Sequence, residues 1–107
     1  MPYSVYDVTA LPDQPLAAAS SFYADVAPSI RHDLDHADTP LDRVIIFAPG
    51  GHEHDGWRLA AVQELARVAA PVRINAVVGA NGDGVRQALD FLASAPGITG
   101  QMLRADG

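Results

Sequence analysis

Hydrophobic and polar residues follow one another along this chain in two spacings, one typical of strands and the other of helices. Residues 4–9 alternate and are rich in β-branched and aromatic side chains, which predicts a short strand. Two continuous apolar runs, residues 43–48 and 72–78, are typical of strands that are buried on both faces of a parallel sheet. Residues 101–104 can form a final short strand.

Between these strands, apolar residues recur every three or four positions, which is the spacing of a helix face. The pattern predicts helices over residues 16–36, 57–70 and 85–92. Pro28 should kink or split the first helix, and Thr39-Pro40 should end it, because proline lacks a backbone donor. In the second helix one face carries Trp57, Ala61, Leu65 and Val68, and the opposite face carries Arg58, Gln63 and Arg67.

Strands that alternate with helices predict an α/β fold with right-handed crossovers, in which helices cover both faces of a parallel sheet. We therefore predict a small Rossmann-like three-layer α/β/α sandwich with a mostly parallel sheet of about four strands. A chain of 107 residues is large enough for one modest core, so residues 1–107 should form a single domain.

Composition narrows the range of partners and compartments. The net charge is −6, which disfavours binding to nucleic acid or to an anionic membrane surface. No apolar run approaches the ~20 residues of a membrane span, and the start of the chain has no signal-peptide pattern. Cysteine is absent, which excludes disulfides and cysteine-ligated zinc and fits a reducing compartment. We therefore expect a soluble cytoplasmic protein.

The most polar loop of the chain, His52-Glu53-His54-Asp55, follows the predicted strand 43–48. Ligands bind at the carboxyl ends of parallel strands, so these four residues are the catalytic candidates, and His52 and His54 are the metal-ligand candidates. The alternative is a solvated loop in which Asp55 caps the next helix. No third ligand is evident, so we expect no metal here. His32 and His36 lie one helical turn apart among aspartates, which favours a solvated face.

A glycine cluster, Gly79, Gly82 and Gly84, follows the predicted strand 72–78 and precedes a helix. That context is typical of a phosphate-binding loop. The spacing differs from Gly-x-Gly-x-x-Gly, however, and Asp83 would repel a phosphate. A plain turn with Asp83 as the helix cap is the alternative, and we expect no bound cofactor.

Three blocks in the last third of the chain carry a family resemblance. Residues 73–79 read Arg-Ile-Asn-Ala-Val-Val-Gly, residues 91–94 read Phe-Leu-Ala-Ser, and residues 98–107 begin Ile-Thr-Gly-Gln and end Ala-Asp-Gly. In this order they resemble the closing segment of short-chain dehydrogenases/reductases. Upstream, residues 43–48 resemble the strand that delivers the family's catalytic serine, and residues 60–67 resemble the helix of its catalytic pair. The resemblance covers residues 42–107, the second half of the family fold, and gives Asn75 the role of a buried amide that ties strand to loop.

The resemblance implies hydride transfer with NAD(P) and a Tyr-x-x-x-Lys pair, but this chain differs at the functional positions. Aligned with the family, Asp55 falls at the tyrosine and Leu59 at the lysine, and all seven basic residues of the chain are arginine. The serine strand ends at Ala48-Pro49, Val78 replaces a proline that faces the nicotinamide, and the substrate lid is reduced to residues 80–84. The phosphate loop of the family's first half is missing. Because the proton relay needs a phenol beside an ammonium, we predict a truncated, non-catalytic module.

The resemblance also implies assembly. The family uses the helices that correspond to residues 16–36 and 57–70 for one two-fold interface, and the last strand and helix for another. Without the family's first half, the strand at residues 4–9 would also have a bare edge. We predict a homodimer or homotetramer, or a complex with a full-length reductase.

Two alternatives stay open. The loop at residues 52–55 could serve a small enzyme in acid/base or metal chemistry, or the chain could be a subunit of an NAD(P)-dependent oxidoreductase that a partner chain completes. NAD(P) is expected only in the second case.

Overall fold

A computed structural model describes residues 3–38, 40–80 and 82–105. Three sequence predictions fall partly outside these residues: the helix end at Thr39, the loop position Asn81, and the last two residues of the third family block. Within the described ranges, none of the helices is long and apolar enough to cross a membrane.

Strands and helices alternate along the chain. The strands are β1 (Tyr3–Val8), β2 (Asp42–Phe47), β3 (Ile74–Val78) and β4 (Met102–Arg104). The helices are α1 (Pro15–Ser21), α2 (Ala27–His36), α3 (Asp55–Ala69) and α4 (Asp83–Ala93). A π-helical turn, Phe22–Val26, joins α1 to α2, and a 3₁₀ turn, His52–His54, precedes α3. Every predicted strand and helix is present.

The predicted break at Pro28 is confirmed. The N–H of Ala27 donates to the carbonyl of Phe22, five residues earlier, so the chain widens into a π-helical turn just before the proline. Pro28 then occupies the first turn of α2, where its missing N–H does no harm. The long predicted helix is therefore two α-helices with a π-helical turn between them.

The four strands form one parallel sheet in the order β1-β2-β3-β4, which confirms the predicted α/β class. Val5 pairs with Val44, Ile45 with Ala76, and Val77 with Leu103. The two central strands are buried along almost their whole length, as their continuous apolar runs predicted.

Helices cover both faces of this sheet. One face packs Ile45, Phe47, Ala76 and Val78 against Phe22 and Ile30 of the α1–α2 region and Val62 and Leu65 of α3. The other face packs Val44, Ile46 and Val77 against Val85 and Leu92 of α4. The strands follow one another across the sheet in sequence order, so the hand of each connection depends on the face that its helix covers. The connections through α1–α2 and α3 lie on one face and the connection through α4 lies on the other, so they have opposite hands. The prediction that all crossovers are right-handed is therefore wrong.

The buried face of α3 differs from its predicted face. Arg58, Ala61, Val62, Leu65 and Ala66 are buried, at the spacing of a helix stripe. Arg58, predicted to face away from the core, is 5% exposed, and its guanidinium lies 4.9 Å from the centre of the Phe47 ring. Val68, predicted to face the core, is 60% exposed. The observed buried face of α3 is thus shifted by about one residue from the predicted face. This shift is possible because a long arginine side chain can cover an aromatic ring.

Trp57 packs against the core, as predicted. Its ring centre lies 5.6 Å from those of Phe22 and Phe47, and Phe22 and Phe47 are fully buried. The three rings meet in tilted and edge-on orientations, the arrangements that aromatic pairs prefer.

Candidate functional site

The candidate site lies at the carboxyl edge of the sheet. The loop after β2 leads to α3 on one face, and the loop after β3 leads to α4 on the other. Where neighbouring strands send their connections to opposite faces, a crevice opens between the strand ends, and open α/β sheets bind ligands there. We call the space between the ends of β2 and β3 the crevice.

Arg104, at the end of β4, spans this crevice. Its Nη1 donates to Asp55 Oδ1 at 2.5 Å, and its Nη2 donates to the carbonyl of Gly50 at 2.7 Å. Both partners follow β2, whereas β4 lies beyond β3, so the guanidinium reaches across the end of the intervening strand. The side chains of Arg104 and Asp55 are 30% and 34% exposed. Sequence reasoning missed this contact because its partners lie 49 and 54 positions before Arg104.

Asp55 also binds His52. The distance from His52 Nδ1 to Asp55 Oδ2 is 2.9 Å, and His52 is exposed. This hydrogen bond, and after it the contact with Arg104, holds the pKa of the Asp55 carboxyl below its ordinary value of 3.8. A carboxylate on one ring nitrogen leaves the other nitrogen of His52 facing solvent, where an imidazole can exchange protons with a ligand.

The prediction that Asp55 caps α3 is wrong. The helix begins at Asp55 itself, and the residue before it, His54, makes no side-chain capping bond. A carboxylate in the first turn still interacts favourably with the positive end of the helix dipole.

His54 is separated from His52. It is buried, its Nδ1 accepts from the indole of Trp57 at 3.0 Å, and its Nε2 lies 2.9 Å from the carbonyl of Asp13. The indole can only donate, so His54 is the neutral tautomer with its proton on Nε2. With both ring nitrogens used inside the protein, His54 fixes the loop to the chain that follows β1.

The four loop candidates therefore do not converge. His52 and Asp55 form a pair, His54 points into the protein, and the Glu53 carboxylate folds over the backbone of Gly51. Within residues 3–38, 40–80 and 82–105, no group of three or more potential ligands could hold a metal ion. His32 and His36, which the sequence placed on a solvated face, are exposed, with ring centres 4.1 Å apart.

A small cavity of about 220 Å³ lies beside the crevice, between the ends of β1 and β2. Arg58 and His54 line it, and so do Asp13 and Glu53. Its wall thus carries charges of both signs, so the lining does not select a ligand by charge.

The glycine cluster packs against the chain end that follows β4. A Cβ on Gly84 would lie 3.0 Å from the carbonyl oxygen of Ala105, and one on Gly79 would lie 3.3 Å from the Cβ of Ala105. The N–H of Ala105 donates to the carbonyl of Val78 at 2.7 Å, which holds this segment against the loop. The close approach of Ala105 therefore explains both glycines, and its carbonyl oxygen lies beside Gly84 in the first turn of α4.

The other two positions of the loop have local roles. Gly82 has a φ of +156°, which L side chains rarely adopt. Asp83 was predicted as the helix cap, but α4 begins at Asp83, Gly82 precedes it, and no side-chain cap bond forms. Asp83 is exposed and lies 3.4 Å from Arg86, one turn along the helix.

Asn75 has the structural role that its motif implied. It is 2% exposed, its Nδ2 donates to the carbonyl of Ile98 at 3.0 Å, and its Oδ1 accepts from the N–H of Gln101 at 3.0 Å. The nitrogen and the oxygen of the side-chain amide thus both tie β3 to the segment that leads into β4. The prediction of a buried amide between strand and loop is confirmed.

Comparison with known protein families gives a match over most of the chain. A family described as short chain dehydrogenase-like protein matches residues 6–105. No curated protein and no solved structure matches the chain. The match begins before the motif-bearing residues 42–107 and includes the second half of β1 and the α1–α2 region.

Proposed function

The chain belongs to the short chain dehydrogenase-like family, and on that premise we propose that it is a non-catalytic module that acts through assembly. Its partners would be further copies of itself or a full-length reductase of the family, in the cytoplasm. The observation that carries the non-catalytic part is the contact of Arg104 with Asp55 and Gly50 across the crevice.

The crevice contact replaces catalytic chemistry with a structural bond. Asp55 stands where the resemblance puts the family's tyrosine, and its carboxylate is engaged by both Arg104 and His52. Leu59 stands one helical turn later, at the position of the lysine. An aspartate and a leucine cannot reproduce a phenol whose proton is made mobile by an ammonium, so hydride transfer would lack its proton donor.

At the glycine cluster after β3, the chain's own packing disfavours binding of a cofactor. Ala105 packs against Gly79 and Gly84 and brings a carbonyl oxygen to the first turn of α4. A pyrophosphate needs that turn to present free N–H groups, and a carbonyl dipole there repels it. This packing supports a role in which neither glycine contacts a nucleotide.

Assembly is supported by a groove between α2 and α3, which we call the α2–α3 groove. It has a volume of about 520 Å³, and Tyr23 and Val68, both exposed, lie along it. Arg31 of α2 and Glu64 of α3 also line it. A two-fold axis along the groove would bring these opposite charges of two copies together and cover the apolar side chains.

Calorimetry with NADH and NADPH tests the non-catalytic part. We expect no heat of binding up to about 1 mM nucleotide, because the crevice and the glycine loop are both occupied by the protein's own groups. A dissociation constant in the micromolar range, or turnover of a carbonyl substrate by the purified chain, would overturn the proposal.

Light scattering during size-exclusion chromatography tests assembly through the α2–α3 groove. We expect an oligomer at micromolar concentration, and Val68→Glu should weaken it because a carboxylate would be buried in an apolar contact. Leu16→Glu is the matched control, since Leu16 is 72% exposed on α1 and does not line the groove. A monomeric wild-type chain that also captures no reductase from its native source would contradict the assembly role.

One observation favours a second candidate, a small acid/base enzyme. The bond between His52 and Asp55 leaves an exposed imidazole nitrogen at the ligand-binding edge of the sheet. Hydrolysis of an activated ester such as p-nitrophenyl acetate, lost in His52→Ala and retained in His36→Ala, would support this enzyme over the assembly module. His36 is a suitable control because it is exposed and bonded to the backbone of its own helix.

The third candidate, an oxidoreductase subunit completed by a partner chain, predicts a different result. The isolated chain would fail to bind NAD(P)H, but a complex purified from its native source would bind the nucleotide. Calorimetry on that complex therefore separates this candidate from the non-catalytic module.

A further inference from the structure

The outer edge of β1 is the longer of the two open edges of the sheet. β1 has six residues and pairs only with β2 within the described sheet, whereas β4, at the other edge, has three. In a parallel strand, alternate residues direct their N–H and C=O groups to opposite sides, so β1 presents backbone donors and acceptors outwards. Such an edge can accept another strand.

The helices leave room for that strand. A groove of about 430 Å³ runs beside β1, between the strand and the α1–α2 region. Val26 and Ile30 contribute its apolar wall, and Ser29 lies at the same wall. Side chains of an added strand that point to this face of the sheet would enter the groove.

The sequence of β1 is suited to pair with a second β1. When two antiparallel copies of β1 pair in one sheet, residues that face each other must point to the same face of the sheet. The two-fold axis must therefore lie midway between one residue and the same residue of the other copy. An axis at Asp7 would oppose two carboxylates. An axis at Val5 places Val5 against its own copy and the carboxylate of Asp7 beside the phenol of Tyr3, over five facing positions. Val5 is 39% exposed in the isolated chain and would be covered.

We infer that the outer edge of β1 binds β1 of a second copy, antiparallel, with the two-fold axis at Val5. This inference rests on the assembly role proposed above and specifies a second surface for it, separate from the α2–α3 groove. Two open sheets of four strands would become one sheet of eight. Each copy carries a net charge of −6, so the copies repel one another at long range and added salt should strengthen the dimer.

The chain contains no cysteine, so one introduced thiol can report the contact without background. Directly opposite residues of antiparallel strands have Cα atoms about 4.5–5.5 Å apart, within the range of a disulfide. Val5→Cys should therefore form a disulfide-linked dimer under mild oxidation with glutathione disulfide. Leu16→Cys, at a position that is more exposed than Val5 and does not line the groove beside β1, should remain mostly monomeric on a non-reducing gel.

A second variant measures the contact at equilibrium. Val5→Lys would oppose two ammonium groups at the axis, and we expect it to raise the dimer dissociation constant at least about tenfold. Leu16→Lys should leave the constant unchanged. For the wild type, the dimer fraction should rise as sodium chloride is increased from about 0.05 to 0.5 M.

The outcomes separate this inference from the assembly role. If light scattering shows an oligomer that Val68→Glu dissociates, while Val5→Cys does not cross-link and Val5→Lys has no effect, the β1 contact is overturned and the assembly role stands. A dimer that weakens with added salt would also count against the contact. Cross-linking of Val5→Cys in a protein indifferent to Val68→Glu would support β1 and overturn the α2–α3 groove.

Discussion

Helices α3 and α4 begin with the same dipeptide, Asp-Gly, at the same edge of the sheet, yet the two starts have different roles. Asp55 binds His52 and Arg104, whereas Asp83 is 87% exposed and lies near Arg86 of its own helix. A Cβ on Gly56 would meet nothing within 4 Å, but one on Gly84 would lie 3.0 Å from a backbone oxygen. Identical local sequence thus gives the same helix start, and residues far along the chain decide what each start does.

The strands that precede these helices differ in a similar way. The chain around β3, α4 and β4 is held by partly and fully buried polar groups, chiefly Arg73 and Asn75. The chain around β2 and α3 also buries polar side chains, Arg58 and His54, but these contact the aromatic rings of Phe47 and Trp57. The family blocks are strongest where polar side chains bind the backbone, and they fail at Asp55 and Leu59, where the resemblance places the family's catalytic pair.

The largest effect in this comparison is expected from Arg73→Met. The Arg73 guanidinium binds Asp42 at 2.8 Å and donates to the carbonyls of Leu92 and Ala95 at the end of α4. Its loss leaves a partly buried carboxylate and several carbonyls unsatisfied, so we expect the free energy of unfolding to fall by about 3 kcal/mol. Urea unfolding followed by circular dichroism measures it.

The control for this prediction is Arg67→Met. Arg67 makes an exposed ion pair with Glu64 on α3, and exposed pairs contribute less than about 0.5 kcal/mol. If the two arginine variants unfold at the same urea concentration, the polar network around β3 does not stabilise the fold.

Asn75→Ala should have the next largest effect. The variant removes two part-buried hydrogen bonds, those of Asn75 with the carbonyl of Ile98 and the N–H of Gln101, which should lower the free energy of unfolding by about 2 kcal/mol. Ser94→Ala, which loses only an exposed hydrogen bond to Phe91, should change it by less than about 0.5 kcal/mol. An Asn75→Ala protein as stable as the wild type would remove the structural explanation for the retained motif.

Substitution of Gly84 and of Gly56 by alanine should change the free energy of unfolding by smaller amounts and in opposite directions. Gly84→Ala must displace the Ala105 carbonyl, so we expect about 1 kcal/mol of destabilisation. Gly56→Ala has open space inside a helix and should stabilise the protein by about 0.5–1 kcal/mol, because alanine restricts the unfolded chain. Urea midpoints that move in the same direction would show that the two Asp-Gly starts are equivalent.

The sequence predicted the strands, the helices and the two-faced sheet because hydrophobic spacing records burial directly. It also predicted the break at Pro28 from the chemistry of proline, and the family resemblance implied the role of Asn75. It failed for Arg58, whose charge suggested exposure although its position continues the buried stripe. It could not find the bond from Arg104 to Asp55, because no local pattern records a contact across 49 positions.

The sequence also could not predict the hand of the crossovers. The general preference for right-handed connections applied to the sequence pattern, but the pattern does not say on which face α4 packs. The arrangement of the four loop candidates, residues 52–55, could not be predicted either. Their spacing placed them at the sheet edge, but the hydrogen bonds of His54 with Trp57 and Asp13 direct His54 inwards and leave His52 exposed.

The smallest expected effect is the contribution of Asp55 to the acid dependence of stability. His52 and then Arg104 hold the pKa of Asp55 below 3.8 in the folded protein, so the unfolded chain takes up a proton at this residue first as the pH falls. The stabilisation is fully present above the unfolded pKa and is lost as the pH falls below 3.8 through the folded value. Asp55→Asn should therefore flatten the dependence of the melting temperature on pH in this window. If the pH profile of Asp55→Asn matches that of the wild type, then His52 and Arg104 do not stabilise the Asp55 carboxylate in the folded protein.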